Sequence, residues 1–148
     1  MRYEMTVLRA ARAIRHAFNA RLADVGMTVT VATAVAFLVE QGPMTQRDLA
    51  ERVQISAASA GTVVDGLVER GLVERCADPA DRRVWRVVPT AAAVPYAKKF
   101  RKVDADVQRE LRIGLDRSDR EQLTRLLGRL ERNAIAAANR RVEPALQD

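Results

Sequence analysis

Residues 56–90 read SAASAGTVVDGLVERGLVERCADPADRRVWRVVPT, and this stretch decides the fold. Ser56 is a preferred helix N-cap, and Gly71 stands where a glycine commonly ends a helix, so the sequence predicts a helix between them. Leu72–Cys76 and Val84–Val88 have the composition of short strands on either side of a polar turn, which predicts a hairpin. The order is therefore a helix followed by a two-stranded wing.

Two further helices are predicted just upstream. Thr45 can cap a helix that runs to Val53. Residues 28–40 contain β-branched side chains that would suit a strand, but their length and near-continuous apolarity favour a buried helix, which Gly42 and Pro43 close. Three helices that end in a basic hairpin form an arrangement that grips duplex DNA, because the last helix fits the major groove and the hairpin reaches the minor groove.

Amphipathic helices are predicted on both sides of this region. Apolar residues recur at helical spacing over residues 7–22 and fade near Gly26, and Thr90 begins another helical pattern. Pro95 is unfavourable inside that pattern, so the helix either starts late or bends there. Ser118–Glu121 reads as a capping box that opens the final helix. The predicted fold class is mainly α with a small β-hairpin wing (α+β), a winged helix-turn-helix with N- and C-terminal dimerisation helices.

Three segments are expected within a single compact domain. They are an N-terminal dimerisation helix (1–26), a winged helix-turn-helix DNA-binding region (27–90), and a linking helix with a C-terminal dimerisation helix (91–148). The first and last helices each carry an apolar stripe that must be buried, and two-fold DNA sites are naturally read by dimers, so we interpret these helices as a dimerisation module. The alternative is that both stripes pack on the chain's own core.

The composition is that of a globular protein with an excess of basic residues. Of its 148 residues, 48% are hydrophobic, 30% charged and only 4% aromatic, which predicts closely packed helices with a core of Ala, Val and Leu. The net charge of +6 favours a polyanion as partner. Residues 41–90 are neutral, however, with 7 Lys/Arg and 7 Asp/Glu, whereas residues 91–148 carry 13 against 9. A solvated arginine-rich helix surface therefore explains much of the excess.

Other classes of protein find no support in the sequence. The single cysteine, Cys76, excludes an internal disulfide and fits a reducing compartment. The absence of an uninterrupted apolar run argues against a signal peptide or a membrane span, so a cytoplasmic location is expected. With one histidine, no phosphate-binding loop and no cluster of metal ligands, the sequence predicts neither an enzyme nor a cofactor site.

Four fragments, in this order and spacing, resemble the MarR family of winged-helix regulators: LAERV (49–53), SAAS (56–59), LVERGLVER (67–75) and DPADRR (78–83). The resemblance runs from about Met27 to Thr90. It implies a homodimeric transcriptional regulator, most often a repressor, in which Thr45–Val53 supports the recognition helix Ser56–Arg70. It also implies release from DNA by a small effector, often aromatic or phenolic, bound between the helical dimer and the winged domains.

Asp81 and Arg83 stand at the places of the family's Asp-x-Arg wing motif. A carboxylate two residues before an arginine can fix the guanidinium and rigidify the turn. An arginine held there suits the negative potential of a narrow minor groove. The alternative is that the pair only stabilises the hairpin. The residues that we predict to contact DNA are Arg47, Ser56, Ala57, Ser59, Ala60, Thr62, Arg75, Asp81, Arg82, Arg83 and Arg86.

The recognition helix departs from the family's usual pattern. Family members usually present basic side chains near the places of Thr62 and Gly66, whereas this helix offers small and hydroxylic residues and the negative Asp65. Ser59 and Thr62 can donate to bases or phosphates, but they cannot supply the bidentate arginine–guanine contact. Binding that is weaker or less sequence-selective than in a typical family member is therefore expected.

Several other residues have two interpretations. Cys76 is expected to be a buried apolar filler rather than a reactive thiol, and Trp85 to pack on the inner face of the wing rather than stack on DNA or a ligand. His16, expected at the surface, and Arg12 are candidates for a ligand contact. A basic cluster after Pro95 either touches phosphates or solvates a helix face; it consists of Lys98, Lys99, Arg101 and Lys102.

Two rivals to a DNA-binding regulator follow from the same features. The first is a winged-helix protein whose DNA binding has degenerated and which acts through protein contacts; the neutral central segment and the atypical helix motivate it. The second is a helical dimer that binds a small molecule in its cleft. The sequence identifies neither the operator nor the effector.

Overall fold

The chain begins with two helices that meet at a left-handed glycine. In the computed structural model, which describes residues 2–140, helix α1 spans Tyr3–Leu22 and helix α2 spans Val29–Gln41. A short 3-10 helix, Ala23–Val25, continues α1 and ends at Gly26, whose φ of 63° is unfavourable for a residue with a side chain. The glycine thus lets the chain turn sharply into α2.

Helix α2 settles the ambiguity of the β-branched segment in favour of the predicted helix. Its start is held by two side chains: Thr28 Oγ1 accepts a hydrogen bond from the Val31 N–H at 3.4 Å, and Asn19 Oδ1 accepts one from the Val29 N–H at 2.8 Å. Its centre is fully buried, with Val35 among the inaccessible residues. Burial of this apolar face outweighs the modest cost of β-branched residues in a helix.

The next two helices begin at the predicted caps. Helix α3 spans Gln46–Val53 and helix α4 spans Ala57–Glu69. The hydroxyl of Thr45 accepts a hydrogen bond from the first turn of α3, and the hydroxyl of Ser56 accepts one from the first turn of α4, each at 3.1 Å. These two caps fix where the helix-turn-helix begins each of its helices.

Helix α4 ends at Gly71, as its sequence predicts. Gly71 has a φ of 67°, and its N–H donates to the Val68 carbonyl at 2.9 Å. The next N–H, of Leu72, donates to the Leu67 carbonyl at 3.0 Å. This pair of bonds is a Schellman motif, which turns the chain directly from the helix into a strand.

A three-stranded antiparallel sheet follows. Strands β2 (Val73–Ala77) and β3 (Trp85–Pro89) form the predicted hairpin, each displaced by one residue from the predicted limits. A third strand, β1 (Met44–Thr45), pairs with the other edge of β3, so the strand order is β1-β3-β2. The sequence did not predict β1, because two residues carry no alternating pattern. This strand joins the start of α3 to the wing.

The helix after the sheet starts late, which is the first of the two alternatives raised by Pro95. A 3-10 turn over Ala91–Ala93 precedes helix α5, which spans Val94–Leu111. Pro95 therefore occupies the first turn of α5, where its missing N–H has no helical partner to lose.

The final described helix, α6, spans Arg117–Arg140, and the predicted position of its cap is wrong. The reciprocal bonds of a capping box involve Asp116 and Asp119: the Asp119 N–H donates to Asp116 Oδ1 at 2.8 Å, and the Asp116 N–H donates to Asp119 Oδ2 at 3.1 Å. Ser118–Glu121 matched the same pattern two residues later. An aspartate at the N-cap serves as well as a serine, so spacing alone did not choose between them.

The chain divides into two compact units, Met1–Val107 and Gln108–Asp148, and the boundary falls inside the predicted segment 91–148. The large inaccessible core residues of the first unit include Leu22, Leu38, Leu49, Leu67, Val64 and Val87. In the second unit, α6 buries none of its own residues. The structure confirms the predicted fold class, a mainly helical chain with a small antiparallel sheet as its wing.

Within residues 2–140, no single helix has both the length and the apolarity needed to cross a membrane. One bent pair, Tyr3–Val25 and Val29–Gln41 at 71°, reaches those limits only when taken together.

Candidate nucleic-acid interface

The first turns of α4 present a small, hydroxyl-bearing surface. Ser56, Ala57, Ser59 and Thr62 are all exposed. The Ser56 hydroxyl donates to Ser59 Oγ at 2.9 Å, which leaves the Ser59 hydroxyl proton free to be donated outward. The Thr62 hydroxyl donates to the Ala58 carbonyl at 3.3 Å, so Thr62 Oγ1 offers an acceptor rather than the predicted donor. The first turns of the helix therefore present one hydroxyl donor and one hydroxyl acceptor on their exposed face.

Ala60 does not belong to this surface. Its relative exposure is 0%, and it lies on the face of α4 that packs into the core. The prediction that Ala60 contacts DNA is therefore wrong. It counted every small residue near the helix start as accessible, whereas the helical period turns the fourth residue of α4 inward.

Arg75 does not project freely, contrary to its predicted role as a DNA contact. From β2 its Nη2 donates to Asp65 Oδ1 of α4 at 2.7 Å and to Gln46 Oε1 of α3 at 3.3 Å. The Arg75 side chain retains 37% exposure and that of Asp65 63%. Arg75 thus ties the wing to both helices of the helix-turn-helix, and Asp65 neutralises the charge beside the recognition helix.

The wing tip contains the arginine geometry that the Asp-x-Arg motif predicts. Asp81 Oδ1 accepts hydrogen bonds from the Arg83 backbone N–H at 3.0 Å and from Arg83 Nε at 3.2 Å. The Arg83 side chain nevertheless remains 91% exposed. Arg82, beside it, is also exposed and has no side-chain partner among the described residues. The tip therefore offers two accessible guanidinium groups, one of them oriented by a carboxylate.

A second aspartate anchors the base of the tip. Asp78 is buried; its Oδ1 accepts from the Ala80 N–H at 2.7 Å and its Oδ2 from Arg86 Nε. The Ala80 N–H first, and then the Arg86 guanidinium, hold the pKa of Asp78 below its usual range. The Asp78 N–H also donates to the Val84 carbonyl across the turn at 2.8 Å. Arg86 therefore anchors the wing instead of reaching freely for DNA as predicted.

Arg47 lies at the exposed start of α3. Its Nε is 3.3 Å from Glu51 Oε1, and the two side chains are 87% and 67% exposed. An ion pair this exposed contributes at most about 1 kcal/mol, so a phosphate can compete for the guanidinium. Arg47 is thus accessible, in contrast to Arg75 and Arg86.

Two predictions of burial on the wing are wrong. Cys76 is exposed, because it faces away from the helices on β2. Trp85 is 59% exposed, although it shares the face of the buried Val87. The alternation of β3 gave the correct face for Trp85, but within residues 2–140 the ring is left largely uncovered there.

The basic cluster on α5 is largely paired with acidic residues of its own unit. Lys99 Nζ lies 2.7 Å from Asp24 Oδ2 and Arg101 Nε lies 3.4 Å from Glu40 Oε1, while Lys102 pairs with Asp106 one turn further along α5 at 2.9 Å. The hydrogen bond from Lys99 lowers the pKa of Asp24. Because these charges are already paired, the alternative of a solvated helix face is favoured over phosphate binding. Lys98 is exposed.

The two candidates for a ligand contact, Arg12 and His16, are both exposed on α1, as predicted for His16. No group of three or more His, Cys, Asp or Glu side chains within residues 2–140 is arranged to hold a metal ion.

Sequence reasoning missed Arg70, which fixes the C-terminal end of the recognition helix. Its guanidinium donates to the carbonyls of Val25 at 2.8 Å and Gly26 at 3.1 Å, and lies 5.2 Å from the centre of the Tyr96 ring. Arg70 thus connects α4 to the α1–α2 junction and to α5. Its only sequence signal was a basic residue at a helix end, which usually indicates no more than a favourable helix dipole.

Comparison with known proteins agrees with this geometry. A model of the MarR family matches residues 25–84. A probable transcriptional regulator from Pseudomonas aeruginosa is 29% identical, with a TM-score of 0.71 over 87% of this chain and 99% of the other. MepR of S. aureus, in a complex with DNA, is 17% identical with a TM-score of 0.81, over 90% and 98% of the two chains. BpsR of Bordetella bronchiseptica, whose DNA binding is regulated by 6-hydroxynicotinic acid, is 22% identical with a TM-score of 0.80, over 88% and 93%.

The matched segment contains the two helices of the helix-turn-helix, strand β2 and the wing tip, where Asp81 holds Arg83. Over residues 25–84 the chain matches the MarR family of winged helix-turn-helix, DNA-binding transcriptional regulators, and over most of its length it is similar to a probable transcriptional regulator.

Proposed function

We propose that this regulator is a ligand-responsive repressor that binds a pseudo-palindromic duplex as a homodimer. The observation that carries the proposal is the pairing of two exposed elements: the hydroxyl surface at the start of α4 and the oriented Arg83 at the wing tip. The first has the width and chemistry for base edges in a major groove, and the second has the charge for the adjacent minor groove.

The contacts divide into two kinds by their chemistry. Arg47, Arg82 and Arg83 supply accessible positive charge for phosphates and the minor groove, which gives affinity without sequence information. Ser59 and Thr62 supply a donor and an acceptor for base edges. Because the charges beside α4 are neutralised by Asp65, this regulator is expected to rely on its wing for affinity more than on its recognition helix.

Dimerisation is supported by apolar side chains that each terminal helix leaves in solvent. On α1, Tyr3, Met5 and Leu8 are more than half exposed. On α6, the exposed apolar residues are Leu123, Leu126, Leu127 and Ile135. An apolar stripe of this kind on a charged helix is a surface for another protein, and a second copy would give the two-fold symmetry that a pseudo-palindromic operator requires.

Release by a small effector is supported by the fold shared with BpsR, whose DNA binding responds to 6-hydroxynicotinic acid. An effector acts only through different affinities for the DNA-binding and non-binding conformations. Arg12 and His16 are exposed candidates for its contacts. Arg70 joins α4 to α5, so a shift of α5 would reorient the recognition helix through this residue.

The rival with a specific observation in its favour is a winged-helix protein with degenerate DNA binding. Arg75 and Arg86 are held in ion pairs and are less exposed than the paired Arg47 and Arg83, so less charge is available for phosphates. Such a protein would bind DNA only weakly and act through protein contacts.

Selection of duplexes from a random library at physiological salt tests the proposal. A two-fold motif with half-sites about one helical turn apart would support a dimeric regulator and identify its operator. An unenriched pool, obtained with a protein shown by sedimentation to be dimeric and free of bound small molecules, would contradict sequence-specific regulation and favour the rival.

A further inference from the structure

Trp85 is an exposed aromatic residue on the helix-facing side of the wing. In the sheet register it lies opposite Ala77, while Val87 lies opposite Arg75. Cross-strand partners share a face and alternate residues along a strand share a face, so all four residues are on one side of the sheet. That side faces the helix-turn-helix, because Val87 is buried there and Arg75 reaches Asp65 of α4 from it.

Trp85 lies closer to the wing tip than Val87, at a point where the helices no longer cover the sheet. Its side chain is 59% exposed, and its cross-strand neighbour Ala77 is too small to cover an indole ring. Within residues 2–140 the indole N–H has no hydrogen-bond acceptor and the ring has no aromatic partner. The residue therefore contributes little to the packing of the protein itself.

The chemistry around Trp85 favours an anionic polymer as its partner. The accessible guanidinium groups of Arg82 and Arg83 precede it by three and two residues, and Arg83 is 91% exposed. An indole N–H can only donate, so it needs a partner rich in acceptors, and its ring packs well on sugar and base surfaces. A sugar-phosphate backbone has both properties, whereas an apolar protein surface would be opposed by the two adjacent charges.

We propose that Trp85 is a DNA-contact residue of the wing, whose ring packs against the sugar-phosphate backbone at the edge of the minor groove, between the tip arginines and α4. It rests on the proposed DNA-binding function and adds to it a source of affinity that is not electrostatic. This contact compensates for the recognition helix, which has no accessible basic side chain near its start. The nucleic acid, rather than an effector, is thus the ligand of this indole.

The chain offers a direct test, because Trp85 is its only tryptophan and its emission reports on this one position. Binding is followed by the anisotropy of a fluorescein-labelled duplex of mixed sequence at low salt. In parallel, the tryptophan emission and its quenching by acrylamide are followed with the same duplex unlabelled. At saturating DNA we expect the emission to change and Trp85 to become protected from acrylamide.

The variant Trp85→Ala is expected to bind about tenfold more weakly, which corresponds to about 1.4 kcal/mol. The dependence of its affinity on salt should be unchanged, because no charge is lost. Val84→Ala is the matched control, since Val84 is the adjacent exposed apolar residue and only its backbone bonds hold the turn. It should bind like the wild type. Thermal unfolding of both variants checks that the fold is retained.

The outcomes distinguish failure of the role proposed for Trp85 from failure of the proposed DNA-binding function. Duplex binding with unchanged emission and unchanged acrylamide quenching would overturn the role of Trp85 and leave the proposed function standing. Equal affinities of Trp85→Ala and Val84→Ala would overturn it in the same way. If the wild type does not bind the duplex at all, the proposed function fails and this inference fails with it.

Discussion

At the scale of single residues, Arg83 is the clearest candidate for a contact that gives affinity. Asp81 accepts one hydrogen bond from the Arg83 backbone N–H and one from its Nε while leaving the side chain almost wholly exposed, so little conformational entropy is lost when DNA binds. We expect Arg83→Ala to weaken binding about tenfold across many sequences and to reduce the salt slope by about 1. Anisotropy titrations over a range of salt concentrations measure both quantities.

Arg83→Lys is the informative control for that experiment. Lysine keeps the positive charge, but Asp81 cannot orient its ammonium group as it orients the planar guanidinium. Arg83→Lys should therefore have the salt slope of the wild type and an affinity between those of the wild type and Arg83→Ala. Unchanged affinity of Arg83→Ala at moderate salt would contradict a DNA contact by the wing tip and leave the pair as a stabiliser of the turn.

Asp65 is the residue that sets the electrostatics of the recognition helix. It pairs with Arg75 at 2.7 Å and thereby neutralises a positive charge beside the helix. We expect Asp65→Asn to increase affinity for mixed-sequence DNA about threefold at low salt, because Arg75 becomes available to phosphates and one repulsive charge is lost.

A matched variant separates these two causes. Glu69→Gln removes one negative charge from the same helix but releases no arginine, because Glu69 has no ion-pair partner within residues 2–140. If both variants bind DNA equally well, the gain is a general effect of net charge. A larger gain for Asp65→Asn supports the view that Arg75 is withheld from DNA by its ion pair.

At the scale of secondary-structure elements, the wing depends on Asp78. Its carboxylate bonds to the Ala80 N–H and to Arg86, and these partners lower its pKa. Because the pKa of Asp78 is lowered in the folded state, the ionised carboxylate stabilises the fold at pH values above the ordinary aspartate value of 3.8. This stabilisation is lost as the pH falls below 3.8. We expect Asp78→Asn to lower the urea midpoint at neutral pH.

The pH dependence of this difference is the diagnostic measurement. The gap in unfolding free energy between the wild type and Asp78→Asn should narrow as the pH falls below 3.8, because the wild-type carboxyl becomes protonated and loses its ionic partner. A gap that stays constant down to the acid transition would show that the charge of Asp78 is not what anchors the tip.

The same elements show how far the sequence alone leads. Local signals were sufficient where the interaction is local: the hydroxyls of Thr45 and Ser56 cap their helices, and Gly71 ends α4. Local signals were insufficient where the burial of a side chain depends on which element packs against it. Trp85 was placed on the correct face but is uncovered, because strand alternation identifies a face and not the extent of the layer above it.

For the candidate site, the sequence identified the secondary-structure elements correctly, but not which of their side chains are paired or buried. It identified the recognition helix and the wing motif, and the hydrogen bonds between Asp81 and Arg83 agree with its geometry. It counted Arg75 and Arg86 as free cations, although their partners, Asp65 and Asp78, are ten and eight residues away and meet them only after the hairpin folds. Pairing across elements is a property of the tertiary structure, and a list of basic residues does not contain it.

At the scale of the whole molecule, the proposed repressor needs two recognition helices at a fixed separation, and hence a stable dimer. The apolar residues of α6 are the most testable part of its interface: Leu126 is 48% exposed and α6 buries none of its residues within one chain. We expect Leu126→Glu to shift the protein from dimer to monomer in sedimentation equilibrium, since a buried, unpaired carboxylate opposes association. Arg125→Ala, on the adjacent residue of the same helix, should leave the dimer intact.

DNA binding should respond to Leu126→Glu in a particular way. A monomer retains one α4 and one wing, so the variant should keep weak, salt-sensitive binding to mixed-sequence duplex while losing its preference for two-fold sites. If Leu126→Glu remained dimeric, this face of α6 would not lie in the interface. If it became monomeric with undiminished affinity for a two-fold operator, the dimer would exist but would not be the unit that reads DNA, which would contradict the proposed mode of repression.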